Sequence, residues 1–200
     1  MALAMTTGTA LPAAAPATGG SLVVQGLRVS WWVWLFVAAL LGALVAHSLV
    51  ALDYVHIICA VLWTGTDLFM GFMVGPILRR LDPAVRRAVI GHLMPRMLFY
   101  IPVVAAVTTT AGWYMSHWTG VYDAPQLHAW FVAALALTLL MFVQGLGVLL
   151  PLNLRVFWEI QKDRPDLDRV RRTMLRYMRL TAWQGLCQLG IIFVMVHFVV

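Results

Sequence analysis

From residue 31 onward the chain is a succession of apolar runs, each about as long as a bilayer is thick, separated by short polar stretches. A helix that crosses the hydrocarbon core needs ~20 mostly apolar residues. Five segments meet that requirement: about Trp31–Leu52, Asp53–Leu78, Pro95–Trp118, Leu127–Phe157 and Met174–Val200. The first two are joined with almost no polar gap, and Ser48 and Asp53-Tyr54 are the only turn cues. Merging them into one broken, partly re-entrant segment would leave four spans. Five are preferred, because the 48 residues of 31–78 would make a helix of ~72 Å. The predicted fold is an all-α integral membrane bundle of five transmembrane helices, a four-helix core plus one N-terminal helix. Residues 1–30, rich in Ala, Thr, Pro and Gly, show no helical or strand period and read as a disordered cytoplasmic tail. They lack the basic start and compact apolar core of a secretory signal. Residues 31–200 form the bundle.

Composition agrees with this pattern. Hydrophobic residues make up 62% of the chain and charged residues 11%, against about half and a quarter in a soluble domain. The surplus apolar surface faces lipid. The charges then orient the helices. Arg28 precedes the first. Arg79, Arg80, Arg86, Arg87 and Arg96 lie between the second and the start of the third. Arg155, Lys162, Arg164, Arg169, Arg171, Arg172, Arg176 and Arg179 surround the connection of the fourth and fifth. These are all 14 Lys and Arg, and five spans put every one on the same side. The positive-inside rule makes that side cytoplasmic, with the N-terminus inside and the C-terminus outside. The net charge of +6 therefore belongs to membrane orientation and not to nucleic acid. Trp31, Trp32, Trp34 and Trp158 at the inner boundary, and Trp113, Trp118 and Trp130 at the outer one, form the expected aromatic belts. Gly71 and Gly75 make a small-xxx-small pair that predicts close helix contact. Cys59 and Cys187 form neither CxxC nor CxxCH, which argues against a thiol redox pair and covalent haem. No nucleophile–base pair, Gly-rich phosphate loop or metalloprotease motif is present.

Ionisable groups inside a membrane are costly, so those that persist are functional candidates. They fall in two layers. His47, His56, His117, His128 and His197 lie near the outer ends of the helices, one per helix, while His92 is cytoplasmic. Neutral imidazole is a common metal and haem ligand, and facing helices can hold such ligands between them. An interfacial histidine more often just presents its polar tip to water, and His47 fits that description. His56 differs. It shares a helical face with Cys59, Trp63, Asp67 and Met70, at spacings of 3, 7, 11 and 14, and such a face turns inward. The middle layer comprises Asp67, Thr108 to Thr110, Gln144, Gln184 and Gln188. It reads either as polar glue between helices or as a proton path or quinone-side site in which Asp67 acts catalytically by exchanging protons. Asp67 is expected to hold a proton or to pair with a snorkelling arginine, because an isolated buried carboxylate is costly.

The stretch HIICAVLWTGTDLFMGFMVGPILRRL (56–81) resembles the opening helix of the HemJ/CopD-like superfamily of small bacterial four-helix membrane proteins. The shared pattern is carried by His56, Trp63, Gly65, Phe69, Pro76, Arg79 and Arg80. Arg96 and IPVVAAVTTTAG (101–112) resemble the next helix, and Asn153, Arg155, Arg176 and Gln184 continue the likeness. It covers about 53–200, so the first helix and tail would be additions. One departure is that the HemJ-type enzymes use a lysine in the bundle, whereas the only lysine here is Lys162, in a connection. The resemblance implies b-type haem at His56, with Trp63 beside it and a second ligand from His128, His117 or His197. The expected role is electron transfer between the quinone pool and a redox partner in a bacterial inner membrane. Copper handling of the CopD kind is the alternative, with His56 and His128 as metal ligands and Met115, Met195 and Cys59 as soft donors. A third reading is a non-catalytic subunit of a larger membrane complex or a homo-oligomer.

Overall fold

The computed structural model describes residues 28, 30–162 and 164–198. The predicted tail lies almost wholly outside them. Among the described residues the regular structure is all helical. Helix α1 is Trp34–Val45, preceded by a 3₁₀ turn at Trp31–Val33. Helices α2 (Leu49–Arg80), α3 (Pro83–Trp118), α4 (Pro125–Ile160) and α5 (Leu167–Val196) are long and apolar enough to cross a membrane. Helix α1 with its turn spans only ~22 Å.

The corner between α1 and α2 falls at Ser48, the first of the two turn cues, and not at the predicted Leu52–Asp53 boundary. The chain leaves α1 at Val45, not Leu52. His47 adopts φ +50°, so its amide donates to Leu44 O and that of Ser48 to Ala43 O, each at 3.1 Å. This is a Schellman closure with histidine in the left-handed position glycine usually takes. Ser48 then caps α2, its Oγ accepting from Ala51 N at 3.3 Å, so His56 lies two turns into α2 instead of one.

Helices α3 and α5 begin well before their apolar runs. Pro83 opens α3 where its missing N–H costs nothing. Asp166 caps α5 by accepting from Arg169 N at 2.9 Å. In both extensions an i, i+4 apolar pair, Ile90/Met94 and Val170/Met174, is buried, and that stripe holds the charged turns helical. Two segments are wound wider. Phe69–Val74 in α2 and Gly145–Leu149 in α4 are π-helical. Pro76 and Pro151 follow directly; each lacks a donor and crowds the carbonyl four residues back, at Phe72 and Gly147, inside the widened turns.

Helix α2 packs on α3 and α5; α4 packs on α5 and, through its last turns, on α3; α1 lies across α2 and α3. Helices α2 and α5 approach closely at glycines. A Cβ on Gly71 would sit 2.5 Å from Ala182 Cβ and 2.6 Å from its Cα, and one on Gly185 would sit 2.7 Å from Leu68 Cδ2. The small-xxx-small expectation at Gly71 and Gly75 is thus met, with α5 as the partner. Two apolar clusters fill the bundle. One, around Ile90, Met94, Val156 and Met174, occupies the basic end. The other, around Val33, Leu52, Cys59, Val104 and Ala111, occupies the histidine end.

Candidate functional site

The inward face predicted for α2 is the one the structure buries. Cys59, Trp63, Asp67 and Met70 are buried, and His56 is half-buried. His56 rests against α3. Its Nδ1 lies 2.9 Å from Thr108 O; a carbonyl only accepts, so Nδ1 carries the proton and donates, leaving Nε2 with a free lone pair. The ring covers Gly112, where a Cβ would meet Cε1 at 2.8 Å and Nδ1 at 3.2 Å. A larger residue at 112 would push the imidazole out. Neither Thr108 O nor Gly112 was among the predicted site groups. They are one turn apart on α3, a legible pairing, but which turn of α3 faces His56 is a matter of register between helices.

Three turns along α2, Asp67 occupies the interface with α5. Its Oδ2 accepts from Gln184 Nε2 at 3.1 Å and from Gln188 Nε2 at 3.0 Å. Asp67 is 3% exposed and each glutamine 1%. The Trp63 indole N–H is directed toward the same carboxylate but falls short of full hydrogen-bond geometry. Both glutamine carbonyl oxygens and the Thr181 hydroxyl are buried without a partner. The carboxylate is therefore held by amide donors and not by an arginine. Arg96, at the cytoplasmic start of the predicted third helix, turns back along α3 and donates to His92 O at 2.8 Å.

The rest of the predicted middle layer is divided. Gln144 donates to Leu180 O at 2.8 Å, and Thr109 donates to Ala105 O at 2.8 Å. The Thr108 hydroxyl is buried and unpartnered. Tyr100, which the sequence did not single out, links α3 to α2. Its hydroxyl donates to Leu62 O and accepts from Thr66 Oγ1, both at 3.3 Å.

Three of the other four outer histidines rest on aromatic rings. His47 lies against Trp118 at 4.3 Å between centroids, and His117 stacks on Tyr122 at 4.4 Å with Trp113 at its edge. His197 stacks on Trp130 at 3.6 Å while its Nδ1 donates to Phe193 O. His128 opens the α-helical part of α4 and is exposed. Among the described residues, no three His, Cys, Asp or Glu side chains converge as a metal site. His92 and His197 donate Nδ1–H to carbonyls of their own helices, at Ala88 and Phe193; among the described residues, only His56 donates across to another helix and has its Nε2 left free by that bond. No family model, curated protein or solved structure matches the chain.

Proposed function

We propose that the chain is a b-type haem membrane protein that passes electrons between the quinone pool and a redox partner, with His56 as an axial ligand. The observation that carries this reading is the bond from His56 Nδ1–H to Thr108 O. A metal-bound imidazole ordinarily donates its second N–H to such a carbonyl, which fixes tautomer and ring orientation. The residues present fit one point of attachment: Nε2 of His56 would hold the haem iron, and Gly112 gives the imidazole its seat. Haem held there would supply one-electron chemistry at a potential set by ligand and burial. His128, which makes no hydrogen bond among the described residues, is the candidate second ligand least committed elsewhere; His117 and His197 would first leave their aromatic neighbours. Reduction of a quinone takes up protons with its electrons. Asp67, steadied by Gln184 and Gln188, is the group that would hold and release one.

The same reading includes five crossings with a cytoplasmic N-terminus. The cation-free part of α3, Met97–Trp118, is ~33 Å long, close to a ~30 Å hydrocarbon core. The segment from Trp32 to His47 runs beside most of that height, meeting α3 at Tyr100 at one end and at Trp118 at the other. All cations then lie at or beyond the inner boundary, as the positive-inside rule requires.

The test is a reduced-minus-oxidised spectrum of protein expressed with haem supply and purified in mild detergent. A Soret and α-band are expected in the wild type and absent in His56→Ala, with His128→Ala altering ligation. Folded wild-type protein without a Soret band would overturn the reading.

A further inference from the structure

At the basic end, a cavity of about 460 Å³ opens between the last turns of α4 and the first turns of α5. A second, of about 350 Å³, continues from it along α5 and shares Arg172 and Arg176 with the first. Arg169, Arg172, Arg176 and Arg179 are spaced 3, 4 and 3 apart, so they form one stripe on α5. Arg155 of α4 enters from the other wall. The carboxylate among the lining residues, Glu159, is already engaged, 2.7 Å from Lys162 Nζ and 4.0 Å from Arg169 Nη1. Among the described residues, Arg155, Arg172, Arg176 and Arg179 form no ion pair.

Orientation in the membrane asks only that cations be on this side. It does not ask that four of them line two adjoining cavities with no ion pair among the described residues. The groove is also not purely polar, since Val156 and Val170 line the first cavity and Leu175 and Leu180 the second. Guanidinium forks match phosphate oxygens bidentately, whereas the aliphatic lining suits an acyl chain. Arg179 stands just beyond the cation-free part of α5, which is headgroup height for a chain that spans the bilayer.

We propose that the groove bounded by Arg155, Arg172, Arg176 and Arg179 binds the phosphate of an anionic phospholipid whose acyl chain follows the leucines of α5. Basic pockets between membrane helices are a recognised site for such headgroups. The arginines clamp the phosphate diester, and the lipid adds to the bonds by which Glu159 of α4 already meets Asp166 N and Arg169 at the start of α5.

The experiment counts lipids on the full-length protein by native mass spectrometry, titrating phosphatidylglycerol and phosphatidylcholine separately. One phosphatidylglycerol is expected to bind in preference to phosphatidylcholine. The double variant Arg172→Gln/Arg176→Gln should weaken it by roughly 30-fold, the equivalent of ~1 kcal/mol for each arginine near a lipid surface. Arg79→Gln/Arg80→Gln removes the same charge from the opposite connection and should cost less than about fivefold. Equal losses in the two variants would mean diffuse attraction and overturn the proposal. So would equal binding of phosphatidylcholine, or displacement of the lipid by millimolar inorganic phosphate, which would mark a free-phosphate site. Should the groove variant misfold, the lipid selectivity and phosphate competition of the wild type decide.

Discussion

Replacing Gly71 by alanine tests how the buried carboxylate is assembled. The added Cβ would lie 2.5 Å from Ala182 Cβ, 2.6 Å from its Cα and 2.8 Å from its N. Carbon atoms in good contact stand ~3.5–4.0 Å apart. Two of the three clashing atoms are backbone, so no rotamer change relieves them, and α2 and α5 must separate by ~1 Å. Overpacking of this kind costs ~1–3 kcal/mol, and a backbone clash belongs at the upper end. Alanine returns up to ~1 kcal/mol of helix propensity, leaving a net loss of ~2 kcal/mol. Gly91 provides the control, since a Cβ there meets nothing within 4 Å, and Gly91→Ala should stabilise by ~0.5–1 kcal/mol. The displacement also reaches Asp67, one turn away, whose bonds to Gln184 and Gln188 are 3.1 and 3.0 Å long. Both would stretch past useful length. The assay is reversible denaturant unfolding in detergent for the two alanine variants beside wild type. If Gly71→Ala were as stable as Gly91→Ala, the close α2–α5 approach would be refuted.

Asp67→Asn keeps an acceptor for one glutamine and adds an amide donor for the unpartnered glutamine carbonyls, so its stability should stay within about 1 kcal/mol of wild type. Asp67→Leu leaves two buried amides unpaired and should cost roughly 2–4 kcal/mol; both variants should lose quinone-linked electron transfer, and full turnover in Asp67→Asn would remove Asp67 from the chemistry. At the α1–α2 corner, His47→Ala and His47→Gly both lose the Trp118 contact, but only glycine is at ease at φ +50°. Thermal melts should therefore rank His47→Gly above His47→Ala by ~1 kcal/mol; the reverse order would disprove the strain argument.

Hydropathy located the helices because lipid-facing turns are apolar all round, and α4 was found to within a turn at both ends. It failed at the start of α3 and α5. The turns containing Arg86, Arg87, Arg171 and Arg172 leave the apolar environment while staying helical, held by Ile90, Met94, Val170 and Met174. A scan for lipid exposure does not see a helix that continues outside lipid. The α2 face from His56 to Met70 was legible, since spacing along one helix fixes which residues share a side. What lies across from it was not. The grouping of Asp67 with Gln184 and Gln188, but not with Gln144 or Thr109, depends on the axial register of α5 and α4 against α2. Side-chain volumes at Gly71, Ala182 and Gly185 set that register. The extra residue in each π turn shifts it again.

Those two π turns have a mechanical consequence. Gly71 in the first, and Gly75 just after it, face Ala182 and Met178, and Gln144, at the edge of the second, reaches Leu180. Both therefore lie beside the same turns of α5, so two of the four long helices are underwound at one height. An underwound turn bends at lower cost than a regular one. The two apolar clusters therefore form blocks that meet at a joint where α2 and α4 are underwound while α3 and α5 run through, the basic block on one side and Asp67 beside the joint on the other. A force applied to the basic block would tilt it as a lever about this joint, and the first bonds to feel it would be those between Asp67 and its two glutamines.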